Sequence, residues 1–434
     1  MRRLGLLFLI GVTVPLSLPA QQRPLTLAEA IAMAARVNPA VVGAHGGVRT
    51  AGAGVLAAKG AFLPNLTATA SGTRSISDGS SFVDPSTGET ISGGSTSQSV
   101  TFGASSSIDI FTGFRRTADL GAANATRDVS EATLSVEEAA SALQTSRQFY
   151  DVLAQGALIG VREASIQREE QKLLIAIAKL STRSTTISDS LEAVVSLANA
   201  RLQLLTQQDL LATAEANLGR LVGRDGRVQA ADDSSLYRFD FPVDSVALLS
   251  EAARSAPAVA RAEAQARTTR AQLSASKSTY WPTLSLSANT SFSGSQQRNY
   301  DLFNQRSLSL GLTWPLFNRF SREQQVVQRK VTLETDLART EDTRRQVLAQ
   351  MASQLSALRT ARERINVTRI GVEAARANVL VQQERYRIGS ISILDLSQVQ
   401  DALDRAEEAA VNARFDFLRA KAEIEAILGR PLQQ

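Results

Sequence analysis

His45 is the only histidine in a chain of 434 residues, and there is no cysteine. Without cysteine there is no disulfide, no thiolate metal site, no thiol nucleophile and no lipid attached through an N-terminal thiol. A histidine-based metal site or triad needs partners that are absent here, and His45 sits alone in an Ala/Gly/Val-rich stretch, so it is read as structural. No phosphate-cradling glycine loop, metal-ligand cluster or nucleophile–base pair occurs elsewhere, so the expectation is no enzyme, no cofactor and no metal. Lys+Arg total 47 against 42 Asp+Glu, a net +5 that is small and dispersed and gives no reason to expect nucleic acid as a partner. The charged residues read as solvated helix faces. The elements that carry them are the informative part.

Arg2 and Arg3 precede an apolar run at 4–18, and Pro19-Ala20 leads into Gln21-Gln22-Arg23. This is the order of a secretory signal peptide, expected to occupy residues 1–20. A membrane anchor is the other reading, but it needs about 20 apolar residues and the run falls short. Mean hydropathy is −0.07 and charges interrupt every later window, so no membrane-crossing helix is expected. A hydropathy scan says little about membrane β-strands, whose alternation is weak.

An internal repeat organises the chain. Arg36-Val37-Asn38-Pro39-Ala40-Val41 matches Arg254-Ser255-Ala256-Pro257-Ala258-Val259, and Leu63-Pro64-Asn65-Leu66 matches Trp281-Pro282-Thr283-Leu284. Ile110-Phe111 matches Leu316-Phe317, and Leu221-Val222-Gly223-Arg224 matches Ile427-Leu428-Gly429-Arg430. The later matches share a shorter spacing, which places an insertion of loop composition at about 78–99 in the first copy. The units are expected at 21–224 and 225–434, each a moderately long helix, two strands and two long helices. Leu396, Val399, Leu403, Ala406, Ala410, Ala413, Phe417, Ala420, Ile424 and Ile427 step by three and four, a coiled-coil seam. Its partner is the seven-residue series Met351, Leu358, Ile365, Val372 and Val379. The first copy repeats both series, with Ser190 and Gln207 as polar exceptions in the second. The stretches 115–180 and 320–388 lack proline, and at 1.5 Å per residue each would run roughly 100 Å, a rod or part of a tube.

Between the helices, Leu66, Ala68 and Ala70 alternate with Thr67, Thr69 and Ser71, and Leu308, Leu310 and Leu312 alternate with Ser309, Gly311 and Thr313. Segments around 100–105 and 284–289 do the same. This suits membrane strands with water on one side, but taken alone it fits an ordinary antiparallel sheet with one wet face better. Aromatics at the strand–helix junctions (Phe62, Phe111, Phe114, Tyr280, Trp281, Trp314, Phe317, Phe320) favour the membrane reading, because aromatic girdles mark the membrane–water interface. Four strands cannot close a barrel around a channel, which takes about eight. Open edges are not tolerated in lipid, so that reading requires other copies of the chain.

With these residues in hand, the chain resembles the TolC-type outer-membrane efflux proteins over essentially its whole mature length. The resemblance rests on the tandem repeat, Asn38-Pro39 and Ala256-Pro257, Trp314-Pro315-Leu316-Phe317-Asn318, and above all the stretch Tyr386-Arg387-Ile388-Gly389-Ser390-Ile391-Ser392-Ile393-Leu394-Asp395-Leu396, similar to the family's helix-hairpin tip. It implies an α+β membrane protein: a homotrimer with a twelve-stranded β-barrel in outer-membrane lipid and a periplasmic α-helical barrel. Such a trimer is the passive exit duct of a tripartite efflux or type I secretion system, meeting a periplasmic adaptor and an inner-membrane transporter. By the same resemblance, Asp395, Asp189, Glu192, Gln398 and Tyr386 mark the periplasmic constriction. Ile388, Gly389, Ser390, Leu180, Ser181 and Thr182 mark the tip that contacts the adaptor, and the membrane-interface aromatics are Phe62, Phe111, Tyr280, Trp281, Trp314 and Phe317. Asp395 also suits the N-terminus of the following helix, where a carboxylate is favoured. Ile391 stands where the best-known members carry a gate arginine, Gln398 where they carry a second acid, and Arg183 where the first copy would carry the tip glycine. The rival function is a periplasmic coiled-coil rod without a pore.

Overall fold

The computed structural model describes residues 23–79, 82–91, 95–237, 239, 244–295 and 299–432; the signal-peptide expectation lies outside them. Two helices, α1 (Leu27–Val37) and α2 (Pro39–Gly60), open the described chain. The sequence suggested one helix here. Pro39 forbids it, because the residue before proline is driven out of the helical region. Asn38 is extended (φ −64°, ψ 120°), and its side chain accepts from the Ala40 amide at 2.9 Å, so the same residue ends α1 and caps α2. The two helices meet at 57°. Ala256-Pro257 breaks the helix in the same way later, without a side-chain cap, between α5 (Ser245–Ser255) and α6 (Pro257–Lys277).

Strand β1 (Asn65–Ser77) follows, then a small hairpin of β2 (Phe82–Val83) and β3 (Thr90–Ile91), then β4 (Ser95–Phe111). The inserted loop is therefore shorter than the 78–99 expected. Ser95 to Ser99 continue the ladder against Ser77 to Thr73, since nothing in a Ser/Thr run opposes an extended backbone. The second strand pair is β5 (Thr283–Ser295) and β6 (Phe303–Thr313). All four long strands form one antiparallel sheet in the order β1-β4-β5-β6, leaving β1 and β6 as edges. β1 and β6 are exposed along their whole length.

The proline-free stretches are unbroken helices. α3 (Arg115–Ser181) and α7 (Ser321–Arg387) have 67 residues each; α4 (Ile187–Val222) and α8 (Ile393–Leu428) have 36 each. At 1.5 Å per residue, α3 and α7 are about 100 Å long. α3 packs on α4 and α7 on α8, as the seams require, while α3 also packs on α8 and joins the two hairpins. Leu396, Leu403, Ala413, Phe417, Ala420 and Ile424 are buried and the remaining seam positions half-buried. A second row on α8 is buried beside the seam: Gln400, Glu407, Val411, Leu418 and Ala422. The main core gathers Phe149, Leu218, Met351, Phe417 and Ile424 with the short helices α1 and α5 against it. Gln207, the polar exception in the first hairpin, is buried and donates to Gln155 Oε1 at 2.7 Å.

Candidate functional site: the hairpin tips and the strand–helix junctions

The turns that end the two long hairpins are built alike. After α3, the Ser184 amide donates to Lys179 O at 2.8 Å and the Arg183 amide to Leu180 O at 3.0 Å. After α7, the Ser390 amide donates to Arg385 O at 2.8 Å and the Gly389 amide to Tyr386 O at 3.1 Å. Both bond pairs put one residue in the left-handed region: Arg183 at φ 57° and Gly389 at φ 82°. Glycine takes that conformation freely and arginine does not.

The expected constriction residues surround the second turn. The Asp395 carboxylate closes a capping box with Ser392, accepting from its hydroxyl at 2.7 Å and its amide at 3.1 Å. The Ser392 hydroxyl, then its amide, and the charge of Arg385 hold the Asp395 carboxyl below the usual aspartate value. Asp189, at the equivalent place in α4, accepts from the Thr185 and Thr186 hydroxyls, and Thr186 itself makes no side-chain cap bond. Glu192 and Gln398 are exposed. Tyr386 points inward instead: it is 1% exposed, packed with Ala176, Ala193, Ile393 and Leu396. Its hydroxyl is buried without a hydrogen-bond partner. Burial, and secondarily the negative charge of Asp189, pushes its pKa up. Lys179 places its Nζ over the Tyr386 ring at 4.2 Å and donates to the Tyr386 carbonyl at 2.8 Å, tying α3 to the end of α7. A groove of about 600 Å³ between the tips is lined by Leu174, Ala178, Lys179, Thr182, Ile388 and Gly389. Ile388, Ser390, Ser181 and Thr182 are exposed and Leu180 half-buried.

Above the tip lie exceptions to the expectation that the charged positions are mostly solvated. Lys172 is 1% exposed, paired with Glu169 and bonded to Ser397 Oγ at 2.9 Å. Arg168 pairs with Asp404 and with Glu407 at 3.2 Å, and Arg376 of α7 also reaches Glu407, at 2.7 Å. Burial, acting against the attraction of Lys172, raises the Glu169 pKa. A third helix covers these groups, which the pattern of one helix cannot reveal. The recurrence of Lys172 and Lys179 seven residues apart, next to seam residues Leu173 and Leu180, was the available signal. His45 is exposed, its Nε2 3.9 Å from Glu138. Among the described residues no group of His, Cys, Asp and Glu could hold a metal ion.

At the other end of the helices the expected aromatics do meet. Phe111 stacks edge-on with Phe114 at 5.5 Å, Phe114 with Trp281 at 6.2 Å, and Phe317 with Phe320 at 5.5 Å. Trp314 Nε1 donates to Tyr280 O at 3.3 Å. Two arginines that the sequence reading missed hold the junctions. Arg116 lies over Phe62 at 5.1 Å and donates to Ala61 O and Ile110 O; Arg322 lies over Tyr280 at 4.6 Å and donates to Pro315 O and Leu316 O. They occupy equivalent places one residue inside α3 and α7. Gly113, at φ 61°, leaves room for Trp281: a Cβ there would lie 2.6 Å from the Trp281 Cβ. A second aromatic row was also missed. Phe102 of β4 and Phe292 of β5 are register partners toward the far end of the sheet, and beyond them Tyr300 donates to Gln98 Oε1 at 2.8 Å.

The model of one protein family, described as outer membrane efflux protein, matches residues 30–224 and 248–430. The chain belongs to the outer membrane efflux protein family. Within that family it is 23% identical over 320 residues to outer membrane protein TolC of Escherichia coli (strain K12), a match covering 69% of this chain and 64% of that protein. It thus spans just under two thirds of TolC. Against the antibiotic efflux pump outer membrane protein ArpC of Pseudomonas putida it is 24% identical over 384 residues, covering 85% of this chain and 75% of ArpC. Among solved structures, CusC superposes with a TM-score of 0.80 at 16% identity, over 93% of this chain and 92% of CusC. The CmeC outer membrane channel of Campylobacter jejuni superposes at 0.76 with 16% identity, over 93% and 85% of the two chains. At these identities the superpositions establish the efflux-protein fold, mostly helical with a four-stranded antiparallel sheet.

Proposed function

We propose that this outer membrane efflux protein is one subunit of a homotrimeric exit duct in the cell outer membrane, serving a tripartite efflux or type I secretion system. The carrying observation is the pairing, in one chain, of a four-stranded sheet with two unpartnered edges and helices about 100 Å long. Lipid tolerates no open strand edge, so the sheet must be completed by other subunits, and three copies supply twelve strands. The helical hairpins then form a tunnel wall reaching through the periplasm. The repeated element order supports two units, 21–224 and 225–434, after a signal peptide at 1–20. The apolar strand face looks to lipid and the Ser/Thr face to water.

At the far end, Asp395 rings the opening, with Asp189 adding an acid and Glu192 and Gln398 lying one turn on. Such rings favour cations. Tyr386 positions the tip through its packing and through Lys179. Ile388, Gly389 and Thr182 line the groove that would receive a periplasmic adaptor, with Ser390, Leu180 and Ser181 beside them in the same two turns, and the adaptor in turn joins an inner-membrane transporter. Substrate passes through and no bond is made or broken. The test is reconstitution of the purified chain in planar bilayers. Single-channel conductance from a heat-resistant trimer, with cation preference reduced by Asp395→Asn, is expected. A monomer confined to the soluble periplasmic fraction, without conductance, would favour the rod.

A further inference from the structure

The repeat governs how the strands pair as well as what they contain. Leu66 of β1 repeats as Leu284 of β5, and Phe111 of β4 as Phe317, just past β6. Asn65 with Ser107, the pair at the end of the β1–β4 ladder, therefore repeats as Thr283 with Thr313. Those two residues do pair, at the end of the β5–β6 ladder. The joint between the two units sets β4 against β5, with Gly103 opposite Ser291 and Ser107 opposite Ser287. The joint between copies sets β6, the repeat of β4, against a neighbour's β1, the repeat of β5. Carrying the same register over places Ser309 opposite Thr73, and Thr313 opposite Thr69, of the neighbouring copy.

The turns that follow β4 and β6 carry the same equivalence, since Phe111-Thr112-Gly113-Phe114 repeats as Phe317-Asn318-Arg319-Phe320. The Arg115 amide donates to Thr112 O at 3.1 Å in one, and the Ser321 amide to Asn318 O at 3.3 Å in the other. Each turn holds two successive left-handed residues: Gly113 and Phe114 at φ 61° and 66°, Arg319 and Phe320 at φ 59° and 62°. A Cβ on Gly113 would lie 2.6 Å from Ser278 O and from the Trp281 Cβ. By the repeat, Arg319 faces Gly60 and Leu63 of the neighbouring copy in the same way. Gly60 has no side chain and Leu63 is smaller than Trp281, so a seam slightly wider than the joint within one chain accepts the arginine. Within its own chain Arg319 is exposed, in a conformation that costs an arginine energy, and has no hydrogen bond or ion pair among the described residues.

Asp109 is in the matching position. It is the only charge on the Ser/Thr face among the described strand residues, it is exposed, and it too has no hydrogen bond or ion pair among them. Nearby cations of its own chain are engaged: Arg115 with Asp119 at 3.5 Å, and Arg116 with Ala61 O and Ile110 O at 3.1 and 3.2 Å. One guanidinium thus spans the turn at 60–63 and the end of β4, so an arginine set against a neighbour's Leu63 stands beside that neighbour's Asp109. The repeat equivalents of Arg319 and Asp109 are Gly113 and Pro315, both uncharged. The two charges arise only where a seam between copies brings them together. We propose that Arg319 of one subunit forms an ion pair with Asp109 of the next at every seam of the trimer, just below the β6–β1 ladder. The inference rests on the duct reading, which supplies the neighbouring copy. The pair also fixes the register: a slip of two residues, the smallest that keeps each strand face on its own side, moves the partners about 7 Å apart.

The test uses the full-length protein, first in native membranes and then purified. Arg319→Cys combined with Leu63→Cys is oxidised in the membrane, and disulfide-linked oligomers up to the trimer are expected on denaturing gels. Arg319→Cys with Leu56→Cys, further back along α2, is expected to give none. The ion pair is then tested by exchanging its charges, with the lifetime of the purified trimer at a fixed elevated temperature as the readout. Arg319→Asp and Asp109→Arg, each alone, are expected to dissociate on the order of tenfold faster than wild type, because a departing subunit breaks two seams where like charges now face each other. The double variant Arg319→Asp/Asp109→Arg is expected to return to within about threefold of wild type, the coupling that marks a direct contact. Single variants that match wild type, or a double variant no longer-lived than the singles, would overturn the ion pair. Trimers present without a link between positions 319 and 63 would overturn the seam register, and both results leave the duct standing. Absence of any trimer from the wild type would overturn the duct reading itself.

Discussion

The two hairpin tips close with the same backbone bonds and are held by different side chains. The α7–α8 turn has glycine in its left-handed position and a full Ser392–Asp395 capping box. The α3–α4 turn puts Arg183 in that conformation and starts α4 without a side-chain cap bond from Thr186. The second tip is thus the stiffer of the two by local chemistry. The first is held from outside itself, by Lys179 on Tyr386 and, further up α3, by the Lys172 hydrogen bond to Ser397 and the Arg168 ion pair to Asp404 of α8. Backbone geometry is shared between the tips, while stability is local in one and borrowed in the other.

The largest effect should come from cutting what the first hairpin borrows. Lys172→Ala leaves Glu169 buried without its cation, and about 3–5 kcal/mol of destabilisation is expected, read from thermal melting of the assembled protein. A loss below about 1 kcal/mol would mean that the α3–α8 network is solvated in the assembly. Next come the turn residues. Gly389→Arg gives the second tip the first tip's strain and should cost about 1–2 kcal/mol, while Arg183→Gly should gain up to about 1 kcal/mol. Equal and negligible effects would remove the asymmetry. Ser392→Ala should cost about 1 kcal/mol, and Thr186→Ala no more than a few tenths. Hydrogen exchange at the first turns of α8 and α4 would show which one frays.

The smallest effect is in pH. The folded-state pKa of Asp395 is depressed by Ser392 and Arg385. Its contribution is therefore complete above the ordinary aspartate value of 3.8 and lost as pH falls through the depressed value. Acid fraying of α8 should start below that of a Ser392→Ala chain, where the carboxyl titrates nearer its normal value. Coincident acid transitions in the two chains would remove the electrostatic part of the cap.

Much of this architecture was legible in the residues. The absence of proline set the reach of α3 and α7, and the three-four steps of Leu and Ala gave the α8 seam. Alternation of Leu with Ser marked the strands, while the tip around Gly389 and Asp395 was marked by the family resemblance of the 386–396 stretch. Asn38-Pro39 also carried its own message, a helix break, which a reading for overall helical extent passed over. The rest depends on a third partner. Glu407 and Gln400 are buried because α3 lies on a second side of α8, and a heptad count registers only apolar residues. Arg116 and Arg322 matter because they grip carbonyls of the preceding strand and loop, and a cation at the start of a helix carries no periodic signal. Phe102 and Phe292 became a row only once the β4–β5 register was known.

The central claim is that β1 and β6 are completed by neighbouring subunits, and the absence of native cysteine makes it directly testable. Ser309→Cys in β6 can be combined with single cysteines placed in turn from Leu66 to Thr73 in β1, and the protein oxidised in native membranes. The account predicts disulfide-linked trimers on denaturing gels at a few β1 positions, those whose Cβ approaches within about 4.5 Å, and not at the others. Exclusively monomeric protein at every position, in membranes that contain the folded chain, would contradict it.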